Sequence, residues 1–126
     1  PETGCEAEAI GHEPGAVLEG LQVANLVPRD AVNEYLLEVN DNFQLDCGGR
    51  VRVTLTAPEG AAQRLTVLDG SNEVGEAISA DRSPATVTVD EPNCFSDDGT
   101  TLIVRVAWVG SDRTAAPYEL EASGSF

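Results

Sequence analysis

From about Ala16 onward, apolar and polar residues alternate along most of the chain. The clearest stretch sets Val51, Val53 and Leu55 against Arg52, Thr54 and Thr56. A period of two sends successive side chains to opposite faces, which predicts a half-buried strand. The same alternation runs through residues 34–40, with Tyr35, Leu37 and Val39 on one face. It recurs at 85–90, where Val87 and Val89 oppose Thr86 and Thr88, and at 117–122, where Tyr118 and Leu120 face in and Glu119 and Glu121 face out. Residues 101–109 are nearly all apolar, which predicts a central strand buried on both faces, with Leu102, Val104, Val106 and Trp108 sharing one side. Further candidates are 17–27, closed by Pro28, and 64–68, stopped by Asp69-Gly70. Residues 77–79 read as a weak edge strand.

No segment holds a helical period over 11 or more residues. Gly, Pro, Asp and Asn punctuate the strand candidates, as at Asp41-Asn42, Cys47-Gly48-Gly49 and Asp98-Gly99. The pattern predicts an all-β fold, a single antiparallel, jelly-roll-like β-sandwich of about seven to eight strands. A length of 126 residues fits one domain with one core. Residues 1–15 are polar and carry Pro1, Gly4, Gly11, Pro14 and Gly15, so they read as a linker. The sandwich is expected over 16–126, with fraying beyond Ser123.

Charge narrows the partners. The chain carries 22 acidic residues against 7 basic ones, a formal net charge of −15. All seven basic residues are Arg, and there is no Lys. Phosphate backbones need clustered cations, so nucleic acid is not expected as a partner. An anionic membrane surface is disfavoured on the same ground, and no apolar run approaches the ~20 residues of a membrane span. Two explanations of the acidity stand side by side: adaptation to a saline, halophilic setting, and an ordinary acidic surface domain from a source that favours Arg codons. Either way, salt or a divalent cation relieves the self-repulsion.

Three cysteines add a redox question. A Cys47–Cys94 disulfide would close a loop of roughly 47 residues and contribute about 3–4 kcal/mol on the chain-entropy model. It would imply an oxidising, secreted setting. The alternative is two buried thiols. Cys5 remains over, either unpaired or paired upstream in a longer parent chain. Phe43 and Phe95 flank the two cysteines and are candidates for a contact patch over the bridge.

Catalysis finds little support. His12 is the sole His and lies in the polar N-terminal stretch, so a Ser-His-Asp or Cys-His arrangement would have to run through it. Gly48-Gly49 precedes a strand and not a helix, which removes a helix-terminus phosphate site. With acids everywhere, one more close pair of carboxylates carries little information. The chain is not expected to be an enzyme. Trp108, Tyr35 and Tyr118 fall in phase with core positions, so they are expected to pack inside rather than stack on sugars. A second acidic cluster, Asp97-Asp98, stands between two readings: a turn at Asp98-Gly99, and a second cation site with Asp46 if the disulfide forms.

Three stretches resemble the bacterial pre-peptidase C-terminal domain, whose architecture the collagen-binding domains of clostridial collagenases share. The first is Val17-Leu18-Glu19-Gly20 leading through Asp30-Ala31-Val32-Asn33-Glu34-Tyr35 into Leu36-Leu37-Glu38-Val39. The second is Gly49-Arg50-Val51-Arg52-Val53-Thr54-Leu55 followed by Leu65-Thr66-Val67-Leu68-Asp69. The third is Leu102-Ile103-Val104-Arg105-Val106 followed by Pro117-Tyr118-Glu119-Leu120. The resemblance implies a non-catalytic accessory domain of a secreted protein, serving attachment, targeting or stabilisation. Its partners would be a parent enzyme domain or an extracellular polymer or surface. It also implies a calcium site in which a Glu-x-Glu run of the linker joins an acidic turn, matched here by Glu6, Glu8, Asp30 and Asn33. Calcium wants six to eight oxygen ligands. This chain departs from the family by placing Ile10 and Gly11 where two further ligands would stand. The alternative to the accessory domain is an adhesin-type carbohydrate- or protein-binding module.

Overall fold

The computed structural model describes residues 16–18, 20–26, 32–39, 50–90, 100–110, 114 and 116–125. Among them are nine strands: β1 (Ala16–Val17), β2 (Leu21–Ala24), β3 (Val32–Val39), β4 (Arg50–Thr56), β5 (Ala62–Asp69), β6 (Asn72–Ala80), β7 (Ala85–Asp90), β8 (Thr100–Val109) and β9 (Tyr118–Ser125). They form a five-stranded sheet in the order β1-β3-β8-β5-β6 and a four-stranded sheet in the order β2-β9-β4-β7. The expected all-β sandwich is present. Every pairing is antiparallel except the short β1–β3 pair, which is parallel.

Alternation builds the core. In β3, Asn33, Tyr35 and Leu37 are buried while Val32, Glu34, Leu36 and Glu38 are exposed. In β4, Val51, Val53 and Leu55 are buried, and in β7 Ala85 and Val87. Leu65 and Val67 of β5 and Leu102, Val104 and Val106 of β8 meet Tyr118 and Leu120 of β9 in the same cluster. Full burial of each aliphatic side chain contributes about 1.5–3 kcal/mol.

Four expectations change in detail. The apolar run 17–27 is two strands serving different sheets. Leu18 still belongs with β3, its N–H donating to Leu36 O at 2.7 Å. Gly20 then takes a φ of 62°, and its carbonyl accepts from Ala122 N–H at 3.1 Å as the chain enters β2 in the other sheet. The weak strand at 77–79 is a nine-residue strand, β6. Strand β8 is central, as expected, but only its Leu102–Val104–Val106 side is buried; Ile103, Arg105 and Ala107 are half-exposed, because the outer face of this sheet has no covering layer among the described residues. The C-terminus pairs beyond Ser123, with Gly124 opposite Val51 and Ser125 opposite Arg50.

Two glycines are required by geometry. Gly70 opens the two-residue turn between the paired Asp69 and Asn72 with a φ of 63°. Gly75 lies where β6 crosses β7, and a Cβ there would run into Val87 Cγ1.

Candidate functional site

The interior carries polar groups that alternation alone would reserve for aliphatics. Tyr35 stands in the five-stranded sheet and Tyr118 in the four-stranded one, and both are fully buried. Their hydroxyls hydrogen-bond to each other across the sandwich. Asn33 Nδ2 donates to Tyr118 OH at 2.8 Å and to Asn25 O at 3.1 Å. Trp108 Nε1 donates to Leu26 O at 3.1 Å. The network therefore ties both sheets and the segment after β2 together, and it satisfies groups whose burial alone would be costly. Burial pushes the Tyr35 phenol above its ordinary value of 10.0, against the lowering effect of its bonds to Tyr118 and Asn33. Burial, followed by the bond with Tyr35, pushes Tyr118 still further up. Both phenols are neutral at physiological pH, so the pair works as a structural clasp and not as an acid–base couple.

Asn33 was expected to ligate calcium. It lies in phase with Tyr35 and Leu37, 5% exposed, and its amide nitrogen is engaged inside the sandwich. The strand parity that placed Tyr35 and Leu37 inside also carries this signal. Glu6, Glu8, Asp30, Cys47, Cys94, Phe43 and Phe95 lie outside the described residues, as do Cys5 and His12. Among the described residues no group of three or more His, Cys, Asp or Glu side chains is arranged to hold a metal ion. Tyr35 and Tyr118 are interior and Trp108 is half-buried, as their phase predicts.

Two surface features were missed in the sequence. The outer face of the four-stranded sheet holds a depression of about 180 Å³ lined by Leu21, Thr54, Thr56, Glu119 and Glu121. Leu21 and Val23 are about half exposed there, and Thr54 bonds Thr86 at 3.0 Å. This face offers hydroxyls, carboxylates and an apolar wall, a surface suited to contact rather than to bond making. The second feature is a corner where the β4–β5 and β6–β7 connections interlock. Gly60 N–H donates to Asp81 Oδ1 at 2.9 Å, Arg82 N–H to Ala57 O at 3.1 Å, and Ala57 N–H to Ser79 Oγ at 2.8 Å. Asp81 and Arg82 have φ of 50° and 69°, so the corner holds two non-glycine residues in the left-handed region. Each costs on the order of 1–3 kcal/mol, offset by the bonds that fix the turn. Beside it, Gln63 is fully buried, and neither its Nε2 nor its Oε1 has a hydrogen-bond partner.

No family model matches the sequence, and no curated protein does. Among solved structures, the pre-peptidase C-terminal domain of collagenase from Bacillus anthracis matches with a TM-score of 0.61 at 12% identity, over 89% of this chain and 96% of that one. CsCBM6-3 from Clostridium stercorarium, solved in complex with cellobiose, matches with a TM-score of 0.37 at 8% identity, over 94% of this chain and 86% of that one. The first likeness spans nearly the whole of both chains. The chain has the fold of a pre-peptidase C-terminal domain, as its sequence resemblance implies.

Proposed function

We propose that this chain is a non-catalytic accessory domain of a secreted protein, serving attachment, targeting or stabilisation of a neighbouring domain. The observation that carries the reading is the shared fold with a pre-peptidase C-terminal domain over 89% of the chain. The chemistry of the interior supports it: the two tyrosines and Asn33 are committed to one another, which gives a rigid scaffold whose faces and loops are left for contact. Stacking on sugar rings would not fall to Tyr35 or Tyr118, which are buried, and Trp108 is half-buried with its Nε1 bonded to Leu26 O, so Phe43, Phe95 and Phe126 are the remaining candidates.

Calcium belongs to the same proposal. The carboxylates of Glu6, Glu8 and Asp30 are hard oxygen donors of the type the ion takes. Asn33 does not fit the set through its side chain, because its amide is turned to Asn25 and Tyr118. Bound calcium would tie the linker to the sandwich and offset part of the −15 charge. A thermal melt in chelator, in millimolar calcium and in sodium chloride of matched ionic strength tests it. A ligand that binds only the folded state raises the midpoint, so calcium should exceed the salt control, and Glu8→Ala should erase the excess. Equal shifts from both additives would remove calcium from the proposal and leave charge screening in its place.

A further inference from the structure

The sandwich presents four outer strand edges among the described residues: β1, β2, β6 and β7. A free edge displays unpaired N–H and C=O groups, and natural sheets guard such edges with Lys, Pro, inward charges, bulges or brevity. Strand β1 has two residues and β2 has four. Strand β6 has nine, and its sequence, Asn72-Glu73-Val74-Gly75-Glu76-Ala77-Ile78-Ser79-Ala80, contains no Lys, Arg or Pro. Its register with β5 shifts once, opposite Val67/Leu68. That bulge disturbs only the Asn72–Val74 end. From Gly75 to Ala80 the pairing is unbroken, opposite Val67 to Ala62. At its far end the Ala80 carbonyl accepts from Ser83 N–H at 2.9 Å in a bridge of the chain's own, so five consecutive residues, Gly75 to Ser79, offer a flat template.

The chemistry beside this edge selects an occupant. Glu73 and Glu76 are exposed on the strand, and Asp69 and Asp81 are exposed at its two ends. Arg64 approaches Glu76 at 3.7 Å, an exposed pair worth little in water. Ile78 shares the outer row with Glu76 and is 51% exposed. A second copy pairing through β6 would bring Glu73 and Glu76 of both copies together, on molecules that each carry −15. We propose that β6 takes up, by strand addition, an extended segment of a basic partner protein with a Lys or Arg and an apolar residue two positions apart. The backbone edge supplies the hydrogen bonds, Glu76 meets the cation, and Ile78 meets the apolar side chain. The inference is independent of the accessory-domain reading and of calcium.

The probe is a fluorescein-labelled nine-residue peptide in which Thr alternates with Lys and Val, followed by anisotropy against the whole chain in about 0.15 M salt, where the screening length is about 8 Å. Its partner control has the same charge but is N-methylated along the backbone, which removes the donors and leaves the cations. Strand addition is expected to make the plain peptide bind about tenfold or more tightly than the control, a difference of about 1.4 kcal/mol. Ile78→Lys should weaken it by a similar factor with an unchanged melting midpoint, because Ile78 lies outside the core cluster. Equal binding of the two peptides would reduce the effect to charge attraction and overturn the proposal. Affinity untouched by Ile78→Lys, or no binding, would also overturn it. A chain that dimerises on sedimentation, and returns to monomer with Ile78→Lys, would assign the edge to a second copy instead.

Discussion

Raising the pH should unfold this domain through its two tyrosines. Tyr35 and Tyr118 are the only tyrosines in the chain, and both are fully buried with their hydroxyls bonded across the sandwich. Their folded-state pKa values are raised above 10.0, with burial the largest cause. In the unfolded chain each phenol loses its proton near pH 10, whereas the folded state keeps it. Above that point the folded state binds more protons than the unfolded one, so stability falls as pH rises. The stabilisation is fully present below pH 10 and is lost above it. Each tyrosine contributes a slope of about 1.4 kcal/mol per pH unit while its folded form stays protonated. While both phenols stay protonated the two slopes add to about 2.7 kcal/mol per pH unit, a large share of the stability of a small domain. The assay is direct, because tyrosinate absorbance near 295 nm reports only on this pair. Absorbance and loss of β-sheet circular dichroism should rise together, well above pH 10, in one cooperative step. Tyr118→Phe should halve the pH slope, since one titrating phenol remains. If tyrosinate formed with a midpoint near pH 10 while the dichroism stayed native, the buried clasp would be refuted.

Two further outcomes concern packing. Gln63 buries an amide with no partner for either polar atom, so Gln63→Leu should raise stability by about 1–3 kcal/mol in a denaturant melt; a loss of similar size would mean that the amide is satisfied in solution. Gly75→Ala should destabilise by about 1–3 kcal/mol through overpacking against Val87. Val87→Ala in the same chain should recover part of that loss, and purely additive effects would show that the two sites do not touch.

Alternation made most of the sandwich legible. Strands β3, β4, β7 and β9 bury Tyr35 and Leu37, Val51, Val53 and Leu55, Val87, and Tyr118 and Leu120, all on the side that their period of two selects. What escaped was set by geometry that pattern does not encode. The run at 17–27 is continuous in hydrophobicity, and only the turn of the backbone at Gly20 divides it between two sheets. Strand β6 was underestimated because its inward residues, Gly75, Ala77 and Ser79, are small rather than apolar and large; the close crossing of β7 demands this. The family resemblance offers Asn33 to an ion, whereas its phase with Tyr35 puts it inside. The candidate surface on the four-stranded sheet was invisible for another reason: Leu21, Thr54 and Glu121 are far apart along the chain and meet only through register. The calcium set was readable only through family resemblance, because spacing alone does not distinguish a ligand from a solvated acid.

The order of the strands has a consequence for how the molecule comes into being. Strand β8 separates β3 from β5, and β9 separates β2 from β4. The last two described strands are thus central in their sheets, and the earlier ones cannot close up without them. A nascent chain that has emerged only as far as β7 owns the short β1–β3 pairing and the β4–β7 and β5–β6 pairings, and neither a joined sheet nor the tyrosine clasp. Because nearly every later contact spans a long stretch of chain, assembly should be slow and all at once rather than progressive. Such a polypeptide would stay unfolded and threadable until its final segments were delivered, which is the state a chain must hold if it is to pass through a narrow pore before it folds.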